Sequence, residues 1–186
     1  AFVGAETRLT ADPAEIKSAS RVVFPGQGHF GQAMARLHAT GLDAVLRDVV
    51  AAQTPFLGIC LGLQLLFEGS DEAPDVPGLG LLAGRSVRFD APRKVPQIGW
   101  NGVRTTRPGS SLDPVLAAGH EHFYFVHSFH VQAANADDVV AVADYEGDFT
   151  AAVQRGSLFA AQFHPEKSGQ AGLALLRTWL AGVGSC

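Results

Sequence analysis

Pro55-Phe56-Leu57-Gly58-Ile59-Cys60-Leu61-Gly62-Leu63-Gln64 decides the architecture of this 186-residue chain. Pro55 to Ile59 reads as an apolar strand and Leu61 to Glu68 as a helix, with Cys60 at the corner and a glycine two positions away on either side. A strand that is apolar on both faces belongs inside a sheet covered by helices on both sides. Such a corner projects its side chain from the sheet edge in a strained backbone, and flanking glycines remove the Cβ atoms that would collide. It also sets the thiol at a helix N-terminus. There the peptide dipoles and unpaired N–H groups are expected to favour the thiolate and bring the pKa below about 8.5. The same N–H groups, that of Leu61 above all, suit the oxyanion that forms when a thiolate attacks a carbonyl. A free cysteine can also be a small buried apolar residue and nothing more. The paired glycines favour the reactive reading.

Working outward, Arg21 to Phe24 reads as a second apolar strand and Gly31 to Ala52 as one amphipathic helical stretch. Strands alternating with helices indicate a parallel α/β arrangement, with ligands at the carboxyl ends of the strands. Asp71 to Gly84, rich in Pro, Gly and acid, is loop chemistry. Strand-like runs follow at Ser86 to Phe89, His122 to Val131, Val139 to Tyr145 and Ser157 to Phe163, at spacings closer to antiparallel hairpins. A last helix is expected from beyond Pro165 to about Leu180, with Leu173, Leu176 and Leu180 against the core. The expected fold is therefore α/β, a central mixed and mostly parallel sheet flanked by helices in three layers, forming one domain over residues 1–186. Ala1 to Ala5 reads as the end of a helix leading into a strand, so a first strand and much of a first helix are expected to be missing from this stretch.

Composition narrows the function. Apolar residues make up 47 % of the chain and include twelve Phe, enough to fill an interior without disulfides or metal. The formal charge of −4, with Lys and Arg scattered, lacks the basic footprint that a phosphate backbone requires. Only Cys60 and the terminal Cys186 are cysteines, which suits a reducing cytoplasm better than a secreted disulfide framework. No apolar stretch reaches the roughly 20 residues of a membrane span.

A nucleophilic thiol needs a base, usually His, held in turn by a carboxylate or amide. Gln162-Phe163-His164-Pro165-Glu166-Lys167 closes an apolar strand, so it carries His164 to the same kind of sheet edge as Cys60, with Glu166 able to reach back to the imidazole. Pro25-Gly26-Gln27-Gly28 forms a glycine-rich loop at a third strand end, where backbone amides can approach a substrate closely. It lacks the lysine of a phosphate-binding loop. His120, His122, His127 and His130 lie close in sequence, yet without cysteine neighbours or metal-ligand spacing they are not expected to hold zinc.

Together these elements resemble the class I, or triad, glutamine amidotransferases over nearly the whole chain, whose sheet is flavodoxin-like. Lys94-Val95-Pro96-Gln97-Ile98-Gly99-Trp100-Asn101, Phe123-Tyr124-Phe125-Val126-His127-Ser128-Phe129 and the acidic run ending in Glu72 are similar, more narrowly, to the glutaminase subunits of imidazole glycerol phosphate synthases. The resemblance implies a triad of Cys60, His164 and Glu166. It sets Gly26, Gly28, Gln64, Glu72 and the backbone of His127, Ser128 and Phe129 around bound glutamine. Trp100, Asn101, Tyr124 and Lys167 would lie toward a (β/α)8 cyclase subunit, joined as a heterodimer and fed ammonia through an internal route in histidine biosynthesis. No cofactor is implied. Gln27 departs from the small apolar residue usual in that loop, Gln97 from a common His, and the opening Gly-Asn-Leu-Arg strand of the family is absent. Synthases of the anthranilate or GMP type are the alternatives within this chemistry, and the Gly-Trp-Asn segment speaks against them. A non-catalytic docking subunit would place no demand on a thiol at position 60.

Overall fold

The computed structural model describes residues 3–90 and 93–182. In chain order the elements are α1 (Pro13–Ser18), β1 (Val22–Gly26), α2 (Phe30–Thr40), α3 (Leu42–Ala51), β2 (Phe56–Cys60), α4 (Leu61–Leu65), β3 (Gly69–Ser70), β4 (Gly84–Arg88) and β5 (Gln97–Thr105). They continue with α5 (Asp113–Ala117), β6 (His122–His127), β7 (Phe129–Ala133), β8 (Val139–Asp144), β9 (Asp148–Arg155), β10 (Leu158–Ala161) and α6 (Gly169–Leu180), with 3-10 turns at Ala136–Asp138 and Pro165–Lys167. One sheet of seven strands runs in the order β1-β2-β10-β9-β8-β5-β6, and a smaller sheet runs β3-β4-β7.

The α/β class and the mixed sheet match the expectation, but the balance within the large sheet differs from "mostly parallel". Only β1, β2 and β10 pair in parallel, whereas β10-β9, β9-β8, β8-β5 and β5-β6 are antiparallel. Connection length is the reason for the β8-β9 and β9-β10 pairs. Two residues separate β9 from β10 and three separate β8 from β9, links too short for the crossover that parallel neighbours need.

Both faces of the central strands are buried, and their period of two sorts the side chains into two cores. Leu57, Ile59, Phe159 and Ala161 join Phe123, Phe125, Phe149 and Phe163 on one face, beneath α6. Phe56, Leu158 and Ala160 join Phe30, Met34 and Leu46 on the other, beneath α2 and α3. The expected single helix from Gly31 to Ala52 is two, because Gly41 takes a left-handed φ of 69° and ends α2 while opening α3. The run from His122 to Val131 is likewise broken at Ser128, so β6 belongs to the large sheet and β7 to the small one. In α6 the buried face is Ala171, Gly172, Leu175 and Trp179, not the one through Leu173; Leu176 and Leu180 pack only at its margin. Of the opening residues, Ala1 and Phe2 lie outside the described residues, and Val3 and Gly4 form a turn and bend instead of a helix end or strand.

Three glycines permit the close approach of β1, β2 and α4. A Cβ on Gly26 would sit 2.9 Å from that of Leu61, one on Gly58 2.9 Å from that of Ala160, and one on Gly62 would overlap the backbone carbonyl oxygen of Phe24. Since a backbone carbonyl cannot rotate away, Gly62→Ala is expected to cost about 3 kcal/mol, the upper end for overpacking. That corresponds to a melting temperature about 6–12 °C lower for a chain of this size. Thermal unfolding followed by circular dichroism checks it, and an unchanged midpoint would show that the helix can slide off β1 freely.

Candidate active site

Parallel pairing sets the strand ends side by side. Gly26 is the register partner of Cys60, and Ala161, three residues before His164, is the partner of Ile59. Cys60 itself has φ 54° and ψ −111°, a backbone conformation uncommon for a residue with a side chain. The strained corner expected between two glycines is therefore present, and the thiol is buried at 8 % exposure. Pro25 and Gly26 are paired within β1, which leaves Gln27 and Gly28, the latter at φ 100°, as the residues beyond the strand end.

The thiol departs from the expected electrostatics. Burial pushes the Cys60 pKa up to about 11 and outweighs the Leu61 backbone N–H bond that favours the thiolate; Glu166 adds to the rise, and the Gln162 amide and Lys167 oppose it. In the resting chain Cys60 is a neutral thiol at pH 7.

His164 is 8 % exposed, and its Nδ1 lies 2.7 Å from Oε1 of the half-exposed Glu166. Since that carboxylate can only accept, Nδ1 carries the proton in the neutral ring and Nε2 is left as the acceptor. The main chain here is pinned: the His164 N–H donates to the Tyr124 carbonyl (2.9 Å), and the Ser168 hydroxyl donates to the His164 carbonyl (2.7 Å) while accepting from the Tyr124 N–H (3.0 Å).

Around this edge lies a buried amide network. Gln64 Nε2 donates to the Phe129 carbonyl (2.9 Å) and to Gln162 Oε1 (3.1 Å), and Gln162 Nε2 stands 3.7 Å from Cys60 Sγ. His127 Nδ1 also meets the Phe129 carbonyl, at 2.8 Å. The His127-Ser128-Phe129 backbone, the link between the two sheets, is thus joined to the cysteine corner. Ser128 contributes its carbonyl to the Phe89 N–H (3.2 Å). Glu72 accepts from the Phe30 N–H at 2.7 Å, so its carboxylate is tied to the start of α2, near the Gln27-Gly28 segment.

On the outer face of β5, Trp100 is 54 % exposed and rests edge-on against Tyr124, whose ring lies 5.9 Å from the Lys167 ammonium. Asn101 faces inward. It accepts from Gln97 Nε2 (2.7 Å) and donates to the Asp144 carbonyl (2.8 Å), a structural role beside the Trp100 surface. Two residues escaped the sequence reading. Ile98, 63 % exposed next to Trp100, is revealed only once β5 is known to be a strand. Gln162 was quoted as part of the His164 motif but not singled out, and its period-two position, inward at the end of β10, was the available signal. Among the described residues no cluster of His, Cys, Asp and Glu could hold a metal ion, and no helix is long and apolar enough to cross a membrane.

A buried thiol on a strained strand-to-helix corner, with a carboxylate-held imidazole at the adjacent strand end, supplies the groups that a cysteine hydrolase or acyl-transfer site requires. The family model for "Glutamine amidotransferase class-I" matches residues 5–181, and the chain belongs to that family. It is 45 % identical over 177 residues to the imidazole glycerol phosphate synthase subunit HisH of Moorella thermoacetica, covering 95 % of this chain and 83 % of that one. With the subunit of the same name from Deinococcus radiodurans it shares 49 % identity over 176 residues, 93 % of this chain and 80 % of the other. A crystal structure of a glutamine amidotransferase superposes with a TM-score of 0.72 at 19 % identity, over 98 % of this chain and 88 % of that one. The glutaminase domain of Trypanosoma brucei CTPS, solved with acivicin bound, gives 0.64 at 16 % identity, over 91 % and 74 %. These two likenesses speak for the fold.

The electrostatics yield a stability prediction. Burial lowers the His127 pKa from 6.5 to about 3, so between those values the unfolded imidazole binds a proton that the folded one excludes. Stability must therefore fall as pH drops below about 6.5 and stop falling on this account near 3. In His127→Gln the slope of unfolding free energy between pH 6 and 4 is expected to be shallower by up to about 1.4 kcal/mol per pH unit. Denaturant unfolding at several pH values measures it, and an unaltered slope would mean the ring is protonated in the fold.

Proposed function

We propose that this chain is the glutaminase subunit of an imidazole glycerol phosphate synthase, a single glutamine amidotransferase domain that hydrolyses glutamine to glutamate and ammonia and hands the ammonia to a (β/α)8 cyclase subunit. The strained Cys60 corner beside the Glu166-held His164 carries the chemical part of the reading. The identity of 45 % with a subunit named for that synthase supports the choice of synthase.

The steps follow from the protonation states. His164 Nε2 takes the Cys60 proton as the sulfur attacks the side-chain amide carbon of glutamine. The Leu61 N–H is aimed at the corner, and a Gly26 or Gly28 peptide amide at the neighbouring strand end would share the developing oxyanion. Collapse of the tetrahedral adduct breaks the C–N bond, and His164 returns the proton to the departing ammonia. Water, deprotonated by the same nitrogen, then cleaves the glutamyl thioester and restores the thiol. Glu166 keeps Nδ1–H in place throughout and offsets the positive charge on the imidazolium. Gln64, Glu72 and the His127 to Phe129 backbone would bound the glutamine. Trp100, Tyr124 and Lys167 would face the cyclase in a heterodimer, with Asn101 holding Trp100's strand in position from behind, in a cytoplasmic setting.

A thiol with a pKa near 11 is a poor nucleophile until something brings His164 to bear on it. Glutaminase turnover is thus expected to be low for the chain alone and to rise by about 10²-fold or more with a cyclase subunit and its ligand, the scale of general acid–base assistance. Cys60→Ser is expected to lose about 10³-fold or more of that stimulated rate, and Glu166→Gln about 10²-fold. Glutamate release with and without the cyclase measures all of these. Equal turnover in both conditions, or full activity in Cys60→Ser, would remove the basis for the assignment.

A further inference from the structure

Gln162 is 0 % exposed and touches the reacting sulfur, and the direction of its amide is fixed by a group that cannot turn. A backbone carbonyl accepts and never donates, so the Phe129 oxygen compels Gln64 to present its NH2 end, at 2.9 Å. The second hydrogen of that NH2 is spent on Gln162 at 3.1 Å, so Gln162 must present its oxygen there. Its own NH2 is left pointing at Cys60 Sγ, 3.7 Å away, a normal distance for an N–H donor to sulfur. Flipping either side chain would set NH2 against NH2 or oxygen against the Phe129 carbonyl. The His127 Nδ1–H donating to that same carbonyl at 2.8 Å adds to its hold on the chain of bonds.

We propose that Gln162 is a further catalytic residue, an amide donor to the Cys60 sulfur locked in polarity by Gln64 and the Phe129 carbonyl, which acts as positioning group and anchor. This rests on Cys60 being the nucleophile of the proposed function. A neutral thiol takes little from such a donor, whereas a thiolate takes a charge-assisted bond, so the contact favours the ionised sulfur selectively. The direction agrees with the Gln162 amide opposing the burial that raises the Cys60 pKa. The arrangement also lets the β6–β7 link act on the sulfur: a shift of the Phe129 carbonyl releases Gln64, and with it the direction of the Gln162 donor.

Carbamidomethylation of Cys60 by iodoacetamide tests this in the full chain without glutamine or partner, the Cys60 and Cys186 peptides being resolved by mass. Gln162→Met keeps the volume and removes the donor. Fewer thiolates, partly offset by higher intrinsic nucleophilicity, are expected to lower the Cys60 rate about three- to tenfold between pH 8 and 9.5. Glu166, Lys167 and His164, the charged or titratable groups bearing on the sulfur, are the same in both proteins. Gln64→Met removes the lock without touching the sulfur, so blocked reagent access cannot produce the smaller fall, about twofold, expected there. If Gln162→Met melts below the assay temperature, Gln64→Met decides. An unchanged Cys60 rate in a folded variant overturns the proposal. Absence of glutaminase activity with a cyclase subunit would defeat the proposed function yet leave the alkylation result standing.

Discussion

The site depends on one close approach: the backbone of Gly62 against the carbonyl of Phe24. It brings α4 down onto β1, and with the Gly26–Cys60 pairing it forces the chain to turn at residue 60 in a φ that a side chain resists. Strain of this kind, on the order of 1–3 kcal/mol, persists only where the surroundings over-determine the backbone. Here the parallel strands on either side of β2 do so, through Gly58 against Ala160 on one flank and Gly26 against Leu61 on the other. The cysteine stands where it does because three neighbours have no Cβ.

That placement creates a conflict between position and charge. A corner packed tightly enough to hold the strained turn is also dry, and dryness favours the neutral thiol over the thiolate. The polar groups arranged around the sulfur, namely the Leu61 N–H and the Gln162 amide, with the His164–Glu166 pair at the neighbouring strand end, are the response available to a buried site: fixed donors and a movable proton. Resting inertness and catalytic competence can then differ by a small rearrangement of those donors. A glutaminase whose product is used elsewhere benefits from this, since a permanently ionised cysteine would hydrolyse glutamine with no acceptor for the ammonia.

How much of this was legible in the sequence depended on the range of the interaction. The β2 corner, the His164 strand end and the α/β class are local patterns and were readable from Pro55 to Gln64 and Gln162 to Lys167 alone. Breaks set by single residues were harder. Gly41 interrupts a continuous apolar periodicity, and Ser128 divides an unbroken run of strand formers between two sheets, a tertiary choice without a local signal. Strand β9, Asp148–Arg155, escaped because its Ala-Ala-Val-Gln centre is weak in β propensity and is held by strands on both sides. The thiol's charge state failed for a different reason. Dipole and N–H effects can be read from a motif, but desolvation depends on what packs over it from β6, β10 and the segment after it.

The Gln97 to Asn101 segment illustrates why a motif can be specific without every residue meeting a ligand. As a strand it sends alternate side chains to opposite faces. Gln97 and Asn101 point inward, hydrogen-bond each other and fasten β5 to the Asp144 carbonyl on β8. Ile98 and Trp100 point outward, more than half exposed on an edge of the fold that also carries Tyr124 and Lys167. An aromatic and an aliphatic side chain left in water on a strand whose inner face is rigidly bonded are costly for an isolated chain and useful for a docking one. The inner half of the motif fixes where the outer half stands, and Trp100 is thereby set against Tyr124 of β6, whose end leads through Ser128 and Phe129 to the amides beside Cys60.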